Sequence, residues 1–229
     1  MTTTEFETLE NFMLENMCDS AHDKDHIYRV LYVAMDIARH ENNVDYDVLI
    51  TACLLHDIGR IDQFKDPTLC HAKVGAKKAF KFLIAQGYGE EFSRKVKACI
   101  KAHRFRSKHP PVTIEEKILF DADKIDTTGT LGIARTLIYK GQVGDPLYST
   151  NANGEISDGT KDTQPSFFQE YKYKLEGIYS KLFTLRGREI AASRQRSAID
   201  FYNAMLYEVS DVYNKGMVLL AESVDKPSS

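Results

Sequence analysis

The sequence predicts an all-α fold, and three observations carry that reading. Apolar residues recur at three- and four-residue spacing along most of the chain. Runs that alternate apolar and polar residues, as half-buried strands require, are absent. The breaks between periodic segments fall at capping residues, glycines and prolines, where helices start and stop. A helical bundle with additional C-terminal helices is the expected architecture.

Phe6, Leu9, Phe12 and Met13 mark a first amphipathic helix. Val30, Val33, Met35 and Ile37 lie on a second, opening near His26 and ending near His40. Asp45 is placed to cap a third, which carries Val48, Leu49, Ala52, Leu54 and Leu55. That segment is apolar almost all round, as expected of a central buried helix. Gly59, just after His56-Asp57, is its stop signal. A short polar linker leads to a fourth helix from His71 to before Gly87, and Glu90 to His103 form a fifth. Pro110 and Pro111 break the chain. Thr113, with Glu116 three residues on, then fits a capping box for a sixth helix carrying Ile118, Leu119, Asp121 and Ala122. Residues 141–166 are turn-rich and polar, so they read as a long loop. Helical periodicity returns at Phe168, Tyr171, Leu175, Ile178 and Leu182, and a last long helix spans about Gly187 to Glu222.

At 229 residues, one compact domain over 1–229 is the default, with a core over about 20–140 and C-terminal helices over about 167–222. Hydrophobic residues make up 43% and charged residues 28%, enough for an ordinary core without disulfide staples. Thirty basic against 33 acidic residues leave a net charge of −3. That balance gives no global attraction to nucleic acid or an anionic membrane, so no stable nucleic-acid partner is expected. Cys18, Cys53, Cys70 and Cys99 form no Cys-x-x-Cys pair and read as reduced thiols of a cytoplasmic protein. The N-terminus lacks the basic start and apolar run of a signal peptide, and no apolar stretch is long enough to span a membrane.

The polar residues that interrupt the helices carry the chemistry. His56 and Asp57 close a helix otherwise built for burial. A carboxylate there needs a cation, several donors or solvent. A divalent metal satisfies it, and a neutral imidazole beside it is a natural co-ligand. His26 stands near the start of a helix, His71 starts one and His103 ends one. Asp121 sits in Asp121-Ala122-Asp123-Lys124-Ile125-Asp126. Packed helices converge such ends on one site in helical metal proteins.

The ordered set His26, His56-Asp57 and Asp121 resembles the HD superfamily of metal-dependent phosphohydrolases. Leu54-Leu55-His56-Asp57-Ile58-Gly59 is similar to that family's central motif. The Asp121 segment with Gly129 and Gly132-Ile133-Ala134-Arg135, and residues 167–201 with Tyr171, Leu185, Arg188 and Arg194, resemble a bacterial group that includes nucleoside triphosphate pyrophosphohydrolases. The resemblance implies metal ligation by His26, His56, Asp57 and Asp121, and hydrolysis of a small phosphorylated substrate, with a nucleotide as the leading class. In some members two further histidines bind a second metal, and His71 and His103 are similar to those positions. Asp57 would then bridge the ions. One or two ions remain open, since His71 reads equally as a ligand or a helix cap.

The ligand types suit manganese, iron, magnesium, nickel, cobalt or zinc. Such an ion lowers the pKa of a bound water toward ~7 and polarises a phosphoryl oxygen. Asp57 and Lys124 are the candidate catalytic residues. Lys124, Arg104, Arg106, Arg60 and Arg29 are the candidate phosphate ligands, with an ion pair to Asp23 or Asp25 as the alternative for Arg29. Asp123 or Asp126 is placed to orient Lys124. A homodimer is the default assembly. Two other functions stay open at this point: a diiron oxygenase, and a ligand-binding domain without catalysis.

Overall fold

The computed structural model describes residues 1–17, 24–104, 110–151 and 153–224. The elements are helical. Among the described residues the only β-type pairing is an isolated bridge between Thr150 and Ile156. Their contacts divide the chain into two compact units that interleave: residues 1–126 with 181–191, and residues 127–180 with 192–229. The sequence by itself predicts a single domain over 1–229.

In the first unit, α1 (Thr3–Glu15) opens on a capping box. Thr2 accepts from Glu5 N, while the Glu5 carboxylate accepts from Thr2 N at 2.6 Å. Leu9 and Met13 are its buried stripe. α2 (Lys24–Ala38) buries His26, Ile27, Val30, Leu31, Ala34 and Ile37. α3 (Tyr46–Leu55) is capped by Asp45, which accepts from Val48 N at 3.2 Å. Seven of its ten residues are buried, because it packs against α1, α2, α6 (Glu90–Ala102) and α7 (Ile114–Ile125). It is the central helix that its all-round apolarity predicts.

The polar stretch after Gly59 holds a one-and-a-half-turn helix, α4 (Arg60–Lys65), where the sequence reading placed a linker. α5 (His71–Ala85) follows. Its first turns press against the 56–59 turn. A Cβ at Gly59 would collide with His71 O and sit 2.6 Å from Gly75 N. Glycine at that close approach lets His71 come up beside Asp57. α7 is capped by Thr113, which accepts from Glu116 N at 3.3 Å.

The second unit contains α8 (Gly129–Val143), closed by Gly144 at φ 75°. The loop expected over 141–166 begins there, one turn later than read. α9 (Phe167–Glu170) runs into a π-helical turn, Tyr171–Leu175. α10 (Leu185–Val224) starts in the first unit and contributes the rest of its length to the second. Ile133, Phe167, Phe168, Tyr171, Leu175, Ala198 and Tyr202 form the second unit's core, with the Tyr171 and Tyr202 rings stacked 4.0 Å apart. No helix among the described residues is long and apolar enough to cross a membrane. Cys53, Cys70 and Cys99 are free thiols, and Cys18 lies outside the described residues.

Candidate metal centre

Helix ends assemble the polar interior of the first unit. His26 lies in the first turn of α2, His56 caps the end of α3, and Asp57 follows it. His71 opens α5, His103 caps the end of α6, and Asp123 and Asp126 close α7. All seven are 6% exposed or less. Burying so many ionisable groups is costly unless each finds partners.

Each imidazole is pinned at Nδ1 by an oxygen. His26 Nδ1 meets Asp126 Oδ2 at 2.8 Å, and Arg29 in turn donates to both oxygens of Asp126. His56 Nδ1 meets Cys53 O at 2.8 Å, His71 Nδ1 meets Gln63 Oε1 at 2.7 Å, and His103 Nδ1 meets Ile100 O at 2.6 Å. These oxygens only accept, so in each ring Nδ1 carries the proton, and whenever the ring is neutral Nε2 keeps its lone pair. The Nε2 atoms then face one another in pairs, His26 with His56 and His71 with His103, each at 3.3 Å. Two lone pairs cannot hydrogen-bond. A cation between them turns that repulsion into coordination.

Asp57 stands between the pairs. Its Oδ2 lies 3.6 Å from His26 Nε2 and 3.7 Å from His56 Nε2. Its Oδ1 lies 3.6 Å from His71 Nε2 and 3.5 Å from His103 Nε2. Both oxygens are fully buried without a hydrogen-bond donor. Arg60 Nε is 3.0 Å from Oδ2, close enough for charge attraction but out of hydrogen-bond alignment. Asp123 Oδ1 adds a third group beside the first pair, 3.5 Å from His26 and 4.0 Å from His56. Two trios result, His26–His56–Asp123 and Asp57–His71–His103. Within each, the potential ligand atoms lie within 4.8 Å of one another.

The electrostatics favour ligand-ready forms. Burial pushes the His56 pKa down to about 4, against the pull of Asp57, so the ring is neutral at pH 7. Burial likewise pushes His71 far down. Burial opposes ionisation of Asp57, but the Arg60 guanidinium beside it holds the carboxyl well below its usual range. Asp123 is held low in the same way, by the Lys124 ammonium against its burial. Neutral imidazoles and ionised carboxylates are the states in which these groups bind a divalent metal. The orphaned carboxylate and opposed lone pairs fit such an ion.

Of the residues expected at the site, His26, His56, Asp57, His71 and His103 come together, and Asp121 does not. Its carboxylate is turned away from both trios, onto the 183–184 turn. It accepts from Phe183 N at 2.9 Å, and from Thr184 N and Thr184 Oγ1, both at 2.7 Å. Burial raises its pKa, with those hydrogen bonds pulling the other way. Residues two apart on a helix point roughly 200° apart, so only one of Asp121 and Asp123 can face the histidines. The structure gives that place to Asp123 and corrects the assignment of Asp121.

Among the basic residues, Lys124 donates to Asp123 Oδ2 at 2.7 Å and to His103 O at 3.2 Å. Arg60 sits beside Asp57. Arg29 pairs with Asp126, and Asp23 lies outside the described residues. Arg104 Nη1 reaches Cys70 Sγ at 3.5 Å. Arg106 lies outside the described residues. Gln63 and the partnership of Asp126 with His26 escaped the sequence reading. Asp123 and Asp126, three apart on one helix face, were the available signal for the second of these.

Residues 24–128 match the family model described as HD domain. YpgQ of Bacillus subtilis (strain 168) is 26% identical over 197 residues, 84% of this chain and 87% of that protein. Its crystal structure in complex with ADP superposes with a TM-score of 0.69 at 25% identity, covering 89% of this chain and 97% of YpgQ. A structure described as a predicted HD superfamily hydrolase, from an uncultured Thermotogales bacterium, gives a TM-score of 0.60 at 26% identity, with 91% and 99% covered. A Lactobacillus plantarum protein shares the fold at a TM-score of 0.74 and 22% identity, with 92% and 99% covered.

Proposed function

We propose, from the match of residues 24–128 to the HD domain family, that this protein is a metal-dependent phosphohydrolase acting on a nucleotide or a related small phosphate ester. The observation that carries the reading is Asp57, a buried carboxylate with neither oxygen hydrogen-bonded, standing between two pairs of imidazole Nε2 atoms. The ADP bound by YpgQ supports a nucleotide as the substrate class.

His26, His56 and Asp123 would hold one ion, His71 and His103 a second, with Asp57 shared. A bound divalent ion supplies hydroxide near neutral pH and polarises the phosphoryl oxygen. The protein's part is positioning and charge. The Nδ1 contacts to Asp126, Cys53 O, Gln63 and Ile100 O lock the rings so that no reorganisation is needed when substrate arrives. Lys124, partly exposed and held by Asp123, places its ammonium where charge develops on a transferring phosphoryl group. Arg60 adds a second cation beside Asp57. Arg29 acts through Asp126 on His26 and is a positioning residue.

Turnover of nucleoside mono-, di- and triphosphates should appear on adding manganese, magnesium, iron, nickel, cobalt or zinc, and disappear in His56→Ala. A panel without turnover under any of these metals overturns the proposal. Oxygen consumption that needs iron would replace it with a diiron oxygenase.

A further inference from the structure

We infer that α5 and α6 form a docking track for a linear chain of phosphates, running outward from the His71 and His103 end of the metal centre. Residues 67–104 hold nine basic against two acidic residues, a net of seven positive charges in a chain whose total is −3. The asymmetry is local and therefore hidden in the overall balance.

The charges are ordered. On α5, Lys73, Lys77 and Lys81 follow at four-residue steps, all exposed, and so share one face. On α6, Lys97 and Lys101 share another face by the same spacing, and Arg104 follows just past the helix end. The two helices pack antiparallel. Lys97 Nζ lies 4.8 Å from the centre of the Phe80 ring, and Arg104 Nη1 reaches Cys70 Sγ. Those contacts bring the α6 row alongside the α5 row, so six cations flank one seam. Lys73, Lys77, Lys81 and Lys101 make no ion pair among the described residues, whereas Lys78, Arg94 and Lys95 on the other faces do. Like charges left unneutralised on one face repel one another, which an anionic ligand would reverse.

The dimensions and chemistry select the ligand. Helical rise puts Lys73 and Lys81 about 12 Å apart along the axis. That span suits a chain of anionic groups better than a single compact phosphate. A single-stranded nucleic acid needs aromatic faces on which bases stack. The ring in the seam, Phe80, has its face covered by Lys97. Among the described residues the seam therefore offers charge without a free base platform, which fits inorganic polyphosphate or an equally bare phosphate chain. Binding needs no metal. Only the use of the track to feed the metal centre rests on the phosphohydrolase reading.

The test is binding of medium-chain inorganic polyphosphate to the full chain in EDTA, measured by calorimetry over a salt series. Polyphosphate should bind more tightly than pyrophosphate and than oligothymidylate of similar length. The double variant Lys77→Ala/Lys97→Ala should weaken binding about tenfold at low salt and lower the log–log salt slope by about two. Lys73→Ala/Lys101→Ala, at exposed positions, provides a second variant if the first misfolds. Lys174→Ala/Lys215→Ala in the other unit should leave binding unchanged. Unchanged affinity in both track variants overturns the inference, and tighter binding of oligothymidylate reassigns the track to nucleic acid. A protein that binds polyphosphate but hydrolyses no phosphate ester keeps the track and defeats the hydrolase proposal, and the converse result separates them the other way.

Discussion

The two compact units both bury apolar side chains but differ in the groups they enclose with them. The second closes on rings, with Phe167, Phe168, Tyr171 and Tyr202 packed against Ile133 and Leu175. The first encloses four histidines and four aspartates among its helix ends. A ring core stabilises by removing apolar surface from water. An interior lined with carboxylates and imidazoles does not, and opposed Nε2 lone pairs at 3.3 Å oppose folding. The first unit's polar interior is therefore accounted for if it holds metal, as its His and Asp groups could, whereas the second unit's buried rings contribute stability.

The largest expected effect breaks the first half of that contrast. Asp57→Ala removes the group shared by both trios, so bound metal and nucleotide turnover should both fall to background, read by elemental analysis and phosphate release. Metal retained at two equivalents in that variant would defeat the assignment. In the second unit, Phe167→Ala should cost about 4 kcal/mol, in the range for truncating a buried ring. Metal content of the folded variant should not change. Denaturant titration paired with elemental analysis checks both, and metal loss there would mean the two interiors do not have separate roles.

Acid should also separate the interiors. The His56 pKa falls from 6.5 to about 4 on burial, so between those values the unfolded chain binds the extra proton and the folded chain does not. The contribution is intact above pH 6.5 and is lost as pH falls toward 4, by about 3 kcal/mol in metal-free protein. Urea unfolding of chelated protein at several pH values measures it. His56→Ala should flatten that dependence, whereas Phe167→Ala should leave its slope unchanged.

How much of this was legible in sequence differs between fold and site. Caps and periodicity placed α3, α5, α6 and α7 to within a residue or two, because Asp45, Thr113 and the apolar stripes act locally. The helix-end histidines were legible for the same reason. The choice between Asp121 and Asp123 was not, because it is decided by the 183–184 turn, 62 residues further along. That turn also explains Gly187, where a Cβ would stand 2.7 Å from Asp121 Oδ2. Asp121→Ala should therefore strand the Thr184 N–H without its acceptor and cost about 2 kcal/mol of stability while bound metal is retained. Asp123→Ala should do the reverse, releasing metal with little change in unfolding midpoint. An exchange of those outcomes would restore Asp121 to the site.

The smallest effect sharpens the contrast inside the metal centre itself. Gln63, in the polar stretch read as a linker, supplies the oxygen that fixes His71 Nδ1 at 2.7 Å. His103 and His56 lean on backbone carbonyls, which no substitution removes. Gln63 is thus the point at which the second trio can be loosened without touching a ligand. Gln63→Leu keeps the size and removes the acceptor, so His71 loses its tautomer lock while its ring stays in place. Loss of such an outer partner typically costs tenfold or more in metal affinity. Metal titration should then show two ions in the parent protein and, at limiting metal, preferential filling of the His26–His56–Asp123 trio in the variant. Arg29→Ala is the mirror experiment, since it frees Asp126 and weakens the hold on His26. If both variants weaken one and the same ion, the two trios act as a single site, and Asp57 binds that ion rather than bridging two.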